Sequence, residues 1–253
     1  VMRFPQKNFV NKFILQYNLK KADSICATSN TIKDYLMPYT NQFVNVIPFG
    51  VNIDDFCNKE VDTLFDKNAF VVGCIKSLEK IYNIDVLIKA FASLKIRYPS
   101  SQFKLLIIGV GSQEFFFKKM VSDLSLKDDV VFTGRIPFSE VSRYFNMLDV
   151  LVNISDYESF GVSVIEAMAC EKPVIATNTG GLKEIIENIN YGSLVEVGNT
   201  EQTALEIEKY FLNEVLKHKI GKAAREKVIS KYNWENNINE MIDVYKKLLN
   251  KNY

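Results

Sequence analysis

Eight short apolar runs recur along the chain, and this recurrence restricts the fold more than any other feature. They cover 24–27, 43–47, 69–75, 103–109, 130–133, 150–154, 174–176 and 193–197. Segments with helical periodicity lie between them, at 31–37, 85–98, 113–124, 139–147, 162–169 and 182–187. The runs carry apolar residues at consecutive positions rather than at every second one, so both faces of each strand need cover. Strands of that kind, alternating with helices, predict a parallel sheet wrapped by helices. From about Thr200 the pattern is helical to the end.

Local signals mark the element ends. Ser29 and Ser139 read as helix N-caps, and Pro173 reads as the stop for the helix at 162–169. Residues 70–111 form one strand-helix-strand unit. Between Gly50 and Asn68 no period is evident, so a division is expected there: a first segment over 1–52, a linker over 53–67, and a doubly wound α/β domain over 68–232. A final helix over 233–253 is expected to pack back toward the first segment. That first segment holds one strand-helix-strand piece, too little to bury a core of its own. It reads as the last part of a domain whose beginning is absent.

Composition narrows the function classes. Lys plus Arg number 31 and Asp plus Glu 30, a net charge of +1. That balance gives no electrostatic ground for nucleic-acid binding. No apolar stretch reaches membrane-spanning length, and 1–13 lacks a signal peptide's apolar core. The four cysteines form no C-x-x-C pair and the one histidine is His218, so no metal site is expected. Scattered cysteines in apolar settings suit a reducing cytoplasm.

In open parallel sheets, ligands bind where strand ends lead into helix N-termini. Four polar or glycine-containing loops occupy such places: 73–80, 109–112, 133–136 and 155–161. The last belongs to the stretch SDYESFGVSVIEAMACEKP, which carries Glu158 and Glu166 eight positions apart. A helix starting near Gly161 or Val162 would aim its free backbone amides and its dipole at an anion such as phosphate. Glu158, just ahead of it, suits ligand hydroxyls rather than phosphate. Glu166 lies about one turn inside the helix, in an apolar run, and its side chain leans back toward the helix start. It is placed either to accept two hydrogen bonds from a vicinal diol such as ribose or to pair with a lysine or a backbone donor.

Lys76 and Lys80 sit on the first of these loops, as diphosphate ligands or as solvated surface charge. The Gly109-Val110-Gly111 run lacks the third glycine of a dinucleotide fingerprint. Gly180-Gly181 reads as a turn into a helix with no chemistry of its own. Phe115-Phe116-Phe117 followed by two lysines reads as a core-facing helix with a basic edge, in preference to a membrane-surface anchor. His218 reads as a surface residue.

Together these stretches resemble the retaining glycosyltransferases of the GT-B fold, family four. The resemblance runs from about Ala22 to the last helix. Its densest part is Glu158-Ser159-Phe160-Gly161-Val162-Ser163-Val164-Ile165-Glu166-Ala167-Met168-Ala169, similar to that family's E-x7-E motif. Lys172-Pro173-Val174-Ile175-Ala176-Thr177 and Thr179-Gly180-Gly181-Leu182-Lys183-Glu184 follow as in the family. Similar segments occur at Val46-Ile47-Pro48-Phe49-Gly50-Val51-Asn52, Asp85-Val86-Leu87-Ile88-Lys89-Ala90-Phe91, Leu106-Ile107-Ile108-Gly109 and Val131-Phe132-Thr133-Gly134.

The resemblance implies a Rossmann-like donor half and a set of roles. Glu158 would contact the donor sugar and Glu166 the ribose. Backbone at Phe160, Gly161, Val162 and Ser163 would hold the diphosphate and sugar. Backbone near Arg135 and Ile136 would hold the base, and Lys76 and Lys80 would clamp the diphosphate. The implied reaction moves a sugar from a nucleotide-diphosphate donor to a saccharide or lipid-linked hydroxyl with retained configuration. No cofactor or metal is called for, since no D-x-D motif occurs. The setting would be the cytoplasm, open to peripheral association with the inner membrane face.

Two departures stand out. Cys74 follows Gly73 where the family has arginine, and the lysines are displaced. The family's acceptor-side glycine-rich loop and histidine have no counterpart, which implies a chain supplying mainly the donor half, alone or with a partner chain that supplies the acceptor domain. A non-catalytic nucleotide-sugar-binding module is the alternative.

Overall fold

The computed structural model describes residues 8–250, so the first seven positions of the 1–52 segment and the last three of the 233–253 helix fall outside it. Two parallel sheets are present. The smaller pairs β1 (Ile25–Ala27) with β2 (Val44–Val46). The larger has six strands: β3 (Phe70–Ile75), β4 (Phe103–Ile108), β5 (Val130–Gly134), β6 (Val150–Asn153), β7 (Val174–Thr177) and β8 (Ser193–Val195). Each of the eight coincides with one of the apolar runs, give or take an end residue.

The six strands lie in the order β5-β4-β3-β6-β7-β8, all parallel. The chain therefore winds outward from β3 in one direction, returns, and winds outward from β6 in the other. Helices cover both faces: α3 (Ile84–Arg97), α4 (Glu114–Asp123), α5 (Phe138–Asn146), α6 (Val162–Ala169), α7 (Leu182–Ile185), α8 (Thr200–Leu212) and α9 (Glu214–Lys231).

Strand period two explains the two cores. On β4, Phe103, Leu105 and Ile107 enter one core, which also receives Leu87, Phe91, Phe117 and Ile207 from helices. Leu106 and Ile108 enter the other, with Ile165, Met168, Leu182 and Val228. Burial on both faces is what the consecutive apolar residues require.

The segment before β3 holds α1 (Phe9–Lys21) and α2 (Asn30–Leu36) around its small sheet. The helical period of α1 is weak, and the apolar runs gave no hint of it. Its core is small, built on Leu19, Ile25, Ala27 and Val44. The last helix, α10 (Trp234–Leu249), runs beside this segment, where the Asn237 amide donates to the Pro48 carbonyl at 2.9 Å. The chain crosses itself at its base: Val51 donates to Tyr232 at 2.8 Å and Trp234 to Val51 at 3.1 Å.

Three expectations need correction. Ser139 is not an N-cap, because α5 starts one residue earlier, after Pro137, and no side chain caps it. The triple phenylalanine is not uniformly core-facing: Phe117 is buried, but Phe115 is 83% and Phe116 49% exposed, since three consecutive residues cannot share one helix face. Pro173 does not end α6. The helix closes earlier in a Schellman turn, with Glu171 at φ 58°, its amide on Met168 and the Lys172 amide on Ala167 at 3.0 Å. Ser29 does cap α2, accepting from the Ile32 amide at 3.2 Å.

The stretch at 53–67 lacks regular structure yet is anchored. Phe56 is buried against Phe138 and Phe145, and Arg225 of α9 donates to the carbonyls of Ile53, Phe56 and Ala169.

Candidate functional site

The strand order places β3 beside β6, the two strands from which the chain winds in opposite directions. Loops leaving their carboxyl ends diverge there, the kind of place where a ligand crevice forms in open parallel sheets. The loop after β3 carries Lys76; the loop after β6 carries Glu158. The Lys76 ammonium contacts Glu158 Oε2 across 82 residues of sequence. The two side chains are only 14% and 18% exposed. Lys76 also sits 5.1 Å from the centre of the Tyr82 ring.

Hydrogen bonds fix the loops to one another. Asn83, held at φ 51°, donates to the Ile154 carbonyl at 3.0 Å and to Asp156 at 2.6 Å. The Asp156 amide donates back to Ile81 at 2.8 Å. Farther out, Ser112 donates twice to Glu79, at 2.8 and 2.5 Å, which holds that carboxyl below the usual range. Glycine at 109 and 111 lets the loop after β4 lie against the Lys76 and Leu78 backbone, where a Cβ would strike carbonyl groups. That packing role accounts for two glycines that make no dinucleotide fingerprint.

Helix α6 begins in the crevice. Gly161 is its N-cap at φ 119°, ψ 60°, with no side chain satisfying the first amides. Among the described residues, no hydrogen bond engages the amides of Gly161, Val162 or Ser163. Val162 is exposed and Ser163 half-buried, so this helix start is reachable from the crevice. Phe160 is different: its ring is buried edge-on against Phe49 at 5.6 Å and Tyr232 at 5.7 Å, so only its backbone faces the loop.

Glu166 lies one turn deeper and is 9% exposed. Among the described residues its carboxylate takes part in no hydrogen bond and no ion pair, so the expected alternative of a lysine or backbone partner is not what the structure shows. Burial pushes its carboxyl up to about 7, against a smaller opposing pull from Lys76. An unpartnered carboxylate in this position is costly to the fold unless something arrives to satisfy it.

The other candidate residues are more dispersed. Lys80 stands in a 3-10 turn at Lys80–Tyr82, is exposed, and takes no part in the Lys76–Glu158 contact. Arg135 is exposed and Ile136 half-buried on the loop after β5, two strands away from β3 at the sheet's edge.

Sequence reasoning missed two contributors. Gly180 and Gly181 are more than a turn. The Gly181 amide donates to the Glu158 carbonyl at 2.8 Å, and a Cβ on Gly181 would come within 2.6 Å of the Phe160 Cα. The second is Glu184, four residues into the same segment. Its carboxylate accepts from the Thr31 amide and hydroxyl, both at 2.6 Å, and from the Asn30 amide at 2.9 Å. Burial works to raise this carboxyl, but these donors outweigh it and hold it below the usual range. Beside it Ser29 donates to the Ser159 carbonyl at 2.8 Å. Glu184 thus caps α2 from another element and ties the first segment to the Glu158 loop. Its place in a Gly-Gly-x-x-Glu run was the available signal, but nothing local shows which helix it caps.

Residues 56–227 match the family model described as glycosyl transferases group 1. The chain belongs to that family. The N-acetyl-alpha-D-glucosaminyl L-malate synthase of Bacillus anthracis is 30% identical over 92% of this chain and 61% of its own length. The chain spans about half to three fifths of the length of the curated relatives it matches. The sucrose-phosphate synthase of Thermosynechococcus elongatus superposes with a TM-score of 0.86 at 26% identity, over 97% of this chain and 63% of that one. A UDP and glucose complex of Anabaena HepE gives the same TM-score at 20% identity, over 97% and 69%, which is a likeness of fold. The architecture is thus the Rossmann-like, GT-B type of this family, with a helical C-terminal tail. Within the described residues no helix is long and apolar enough to cross a membrane.

Proposed function

We propose that the crevice between β3 and β6 binds a nucleotide-diphosphate sugar and that this chain supplies the donor-binding half of a retaining glycosyltransferase of family four. The observation that carries the reading is Glu166: a buried carboxylate with no partner, one helical turn behind three free amides. A vicinal diol has the two O–H donors that this carboxylate lacks. The diphosphate falls to the α6 N-terminus and to Lys76, which together stabilise charge on the leaving group. Glu158 accepts from sugar hydroxyls, and the base lies toward the Arg135 and Ile136 backbone. Lys80 is too exposed to serve as more than an outer contact. The reading requires no metal or cofactor.

The acceptor is a saccharide or lipid-linked hydroxyl, and alignment of donor with acceptor needs a second domain facing the crevice, in the same protein or from a partner chain. A cytoplasmic setting, at a membrane face for a lipid-linked acceptor, agrees with four free cysteines.

Calorimetric titration with UDP, GDP, UDP-glucose and GDP-mannose tests the reading. One nucleotide series should bind, and Glu166→Ala should weaken it by about 1–3 kcal/mol, the cost of losing buried charged hydrogen bonds. Absence of binding by every nucleotide, from a folded chain, would overturn it. Retention is read separately, from the anomeric configuration of any product by NMR.

A further inference from the structure

We infer that Glu158 is an internal competitor for Lys76, and that this competition makes the site select sugar-bearing diphosphates over bare ones. The inference rests on the donor-site reading above and adds to it a specificity device. Its starting point is the direct contact between the Lys76 ammonium and the Glu158 carboxylate, both largely removed from water.

A nucleoside diphosphate brings several negative charges. Before it arrives, Lys76 and Glu158 cancel, and Glu166 adds only acidity. Lys80 offers no relief, being exposed and outside the contact. The free amides at the start of α6 still attract an anion, but the cation beside them is already engaged, so the diphosphate must take Lys76 away from Glu158. The exchange leaves Glu158 as a poorly hydrated carboxylate without its partner, which is the expensive half of breaking a desolvated ion pair. A sugar attached to the diphosphate supplies hydroxyl donors to that carboxylate. A bare diphosphate supplies none.

Two consequences follow from the same exchange. A nucleoside diphosphate binds more weakly than its sugar form by more than the sugar's own contacts account for. After the sugar has left, Glu158 recovers Lys76 and weakens the hold on the remaining nucleotide. The loop architecture makes this available: Glu158 is fixed by the Gly181 amide on its carbonyl, so its side chain can release Lys76 without moving the backbone.

The test is a set of dissociation constants for UDP, GDP, UDP-glucose and GDP-mannose with the wild type, Glu158→Gln, Lys76→Met and the double variant. Matching circular dichroism and melting curves show that each is folded, and Glu158→Ala provides a second neutral variant. Glu158→Gln should bind the nucleoside diphosphate more tightly than wild type, by about fivefold or more. It should also lose its preference for the sugar form. In the Lys76→Met background the same substitution should leave diphosphate affinity unchanged. Diphosphate affinity that is unchanged or weaker in Glu158→Gln, or a gain that persists in full in the Lys76→Met background as plain charge repulsion would give, overturns the inference while the donor site stands. A wild type that binds no nucleotide overturns both.

Discussion

Replacing Glu166 by glutamine should make the protein more stable at pH 8 and worse at its task. Burial lifts the Glu166 carboxyl from its ordinary 4.5 to about 7. In the unfolded chain the group ionises near 4.5; in the folded chain it stays protonated until about pH 7. Below 4.5 both states hold the proton, and the group does not affect stability. Between 4.5 and 7 the unfolded state gives up its proton while the folded state keeps it, so stability falls as pH rises. Above 7 the loss is complete. At 1.36 kcal/mol per pH unit the full loss is roughly 3 kcal/mol. Glutamine has the shape of the protonated form and never pays it. Glu166→Gln should therefore melt with wild type at pH 4.5 and roughly 6–12 °C above it at pH 8, the scale for a chain of this size. Differential scanning fluorimetry of both proteins from pH 4.5 to 8 measures the gap, and other titrating groups cancel in the difference. Saturating nucleotide should close the gap at pH 8, because the ligand stabilises wild type through the carboxylate that the variant lacks. A gap independent of pH, or a variant less stable at pH 8, would refute the account of Glu166 as a buried, unpartnered carboxylate.

Gly221→Ala should destabilise the protein by about 2 kcal/mol or more in urea denaturation, although alanine is the better helix former by about 1 kcal/mol, because the new methyl would collide with the Glu171 carbonyl. Gly180→Ala should weaken nucleotide-sugar binding in calorimetry and lower the melting temperature together, since φ is 50° there and the methyl would strike the Glu158 carbonyl. Lys76→Met should cost on the order of tenfold in diphosphate affinity, against less than about twofold for Lys80→Ala. Glu184→Ala should speed amide hydrogen exchange at Asn30 and Thr31 and cost about 1–2 kcal/mol, as the loss of a helix cap does; unchanged exchange there would show that the cap is not formed in solution.

The large sheet was legible because its strands are buried on both faces, a condition written into consecutive residues such as Leu105 to Ile108. Helix α1 was not, because its apolar residues are spread around its surface and Phe9, Phe13 and Tyr17 face outward. Glu166 could be singled out because a carboxylate in an apolar helix is locally anomalous. Glu184 could not: an acidic residue in a short helix looks like surface, and its donors lie more than 150 residues away. The same holds for Gly180 and Gly181, whose neighbours are backbone atoms of residues 158–160. Ser139 failed for the opposite reason, since a serine before a periodic segment satisfies the local rule and only the position of Pro137 shows that the helix has already begun.

The placement of Lys76 and Glu158 on strands from opposite windings of the sheet bears on how the protein folds. Residues 70–134 and 150–195 each form a run of neighbouring strands whose pairings close shorter loops than the pairing of β3 with β6 does. The meeting of β3 with β6 is the step that closes the longest loop inside the sheet. Chemistry at the crevice therefore waits on the seam between two halves, and a chain caught with either half formed has only part of the site. A ligand that spans the seam should act chiefly on the rate at which it opens, lengthening the life of the native state.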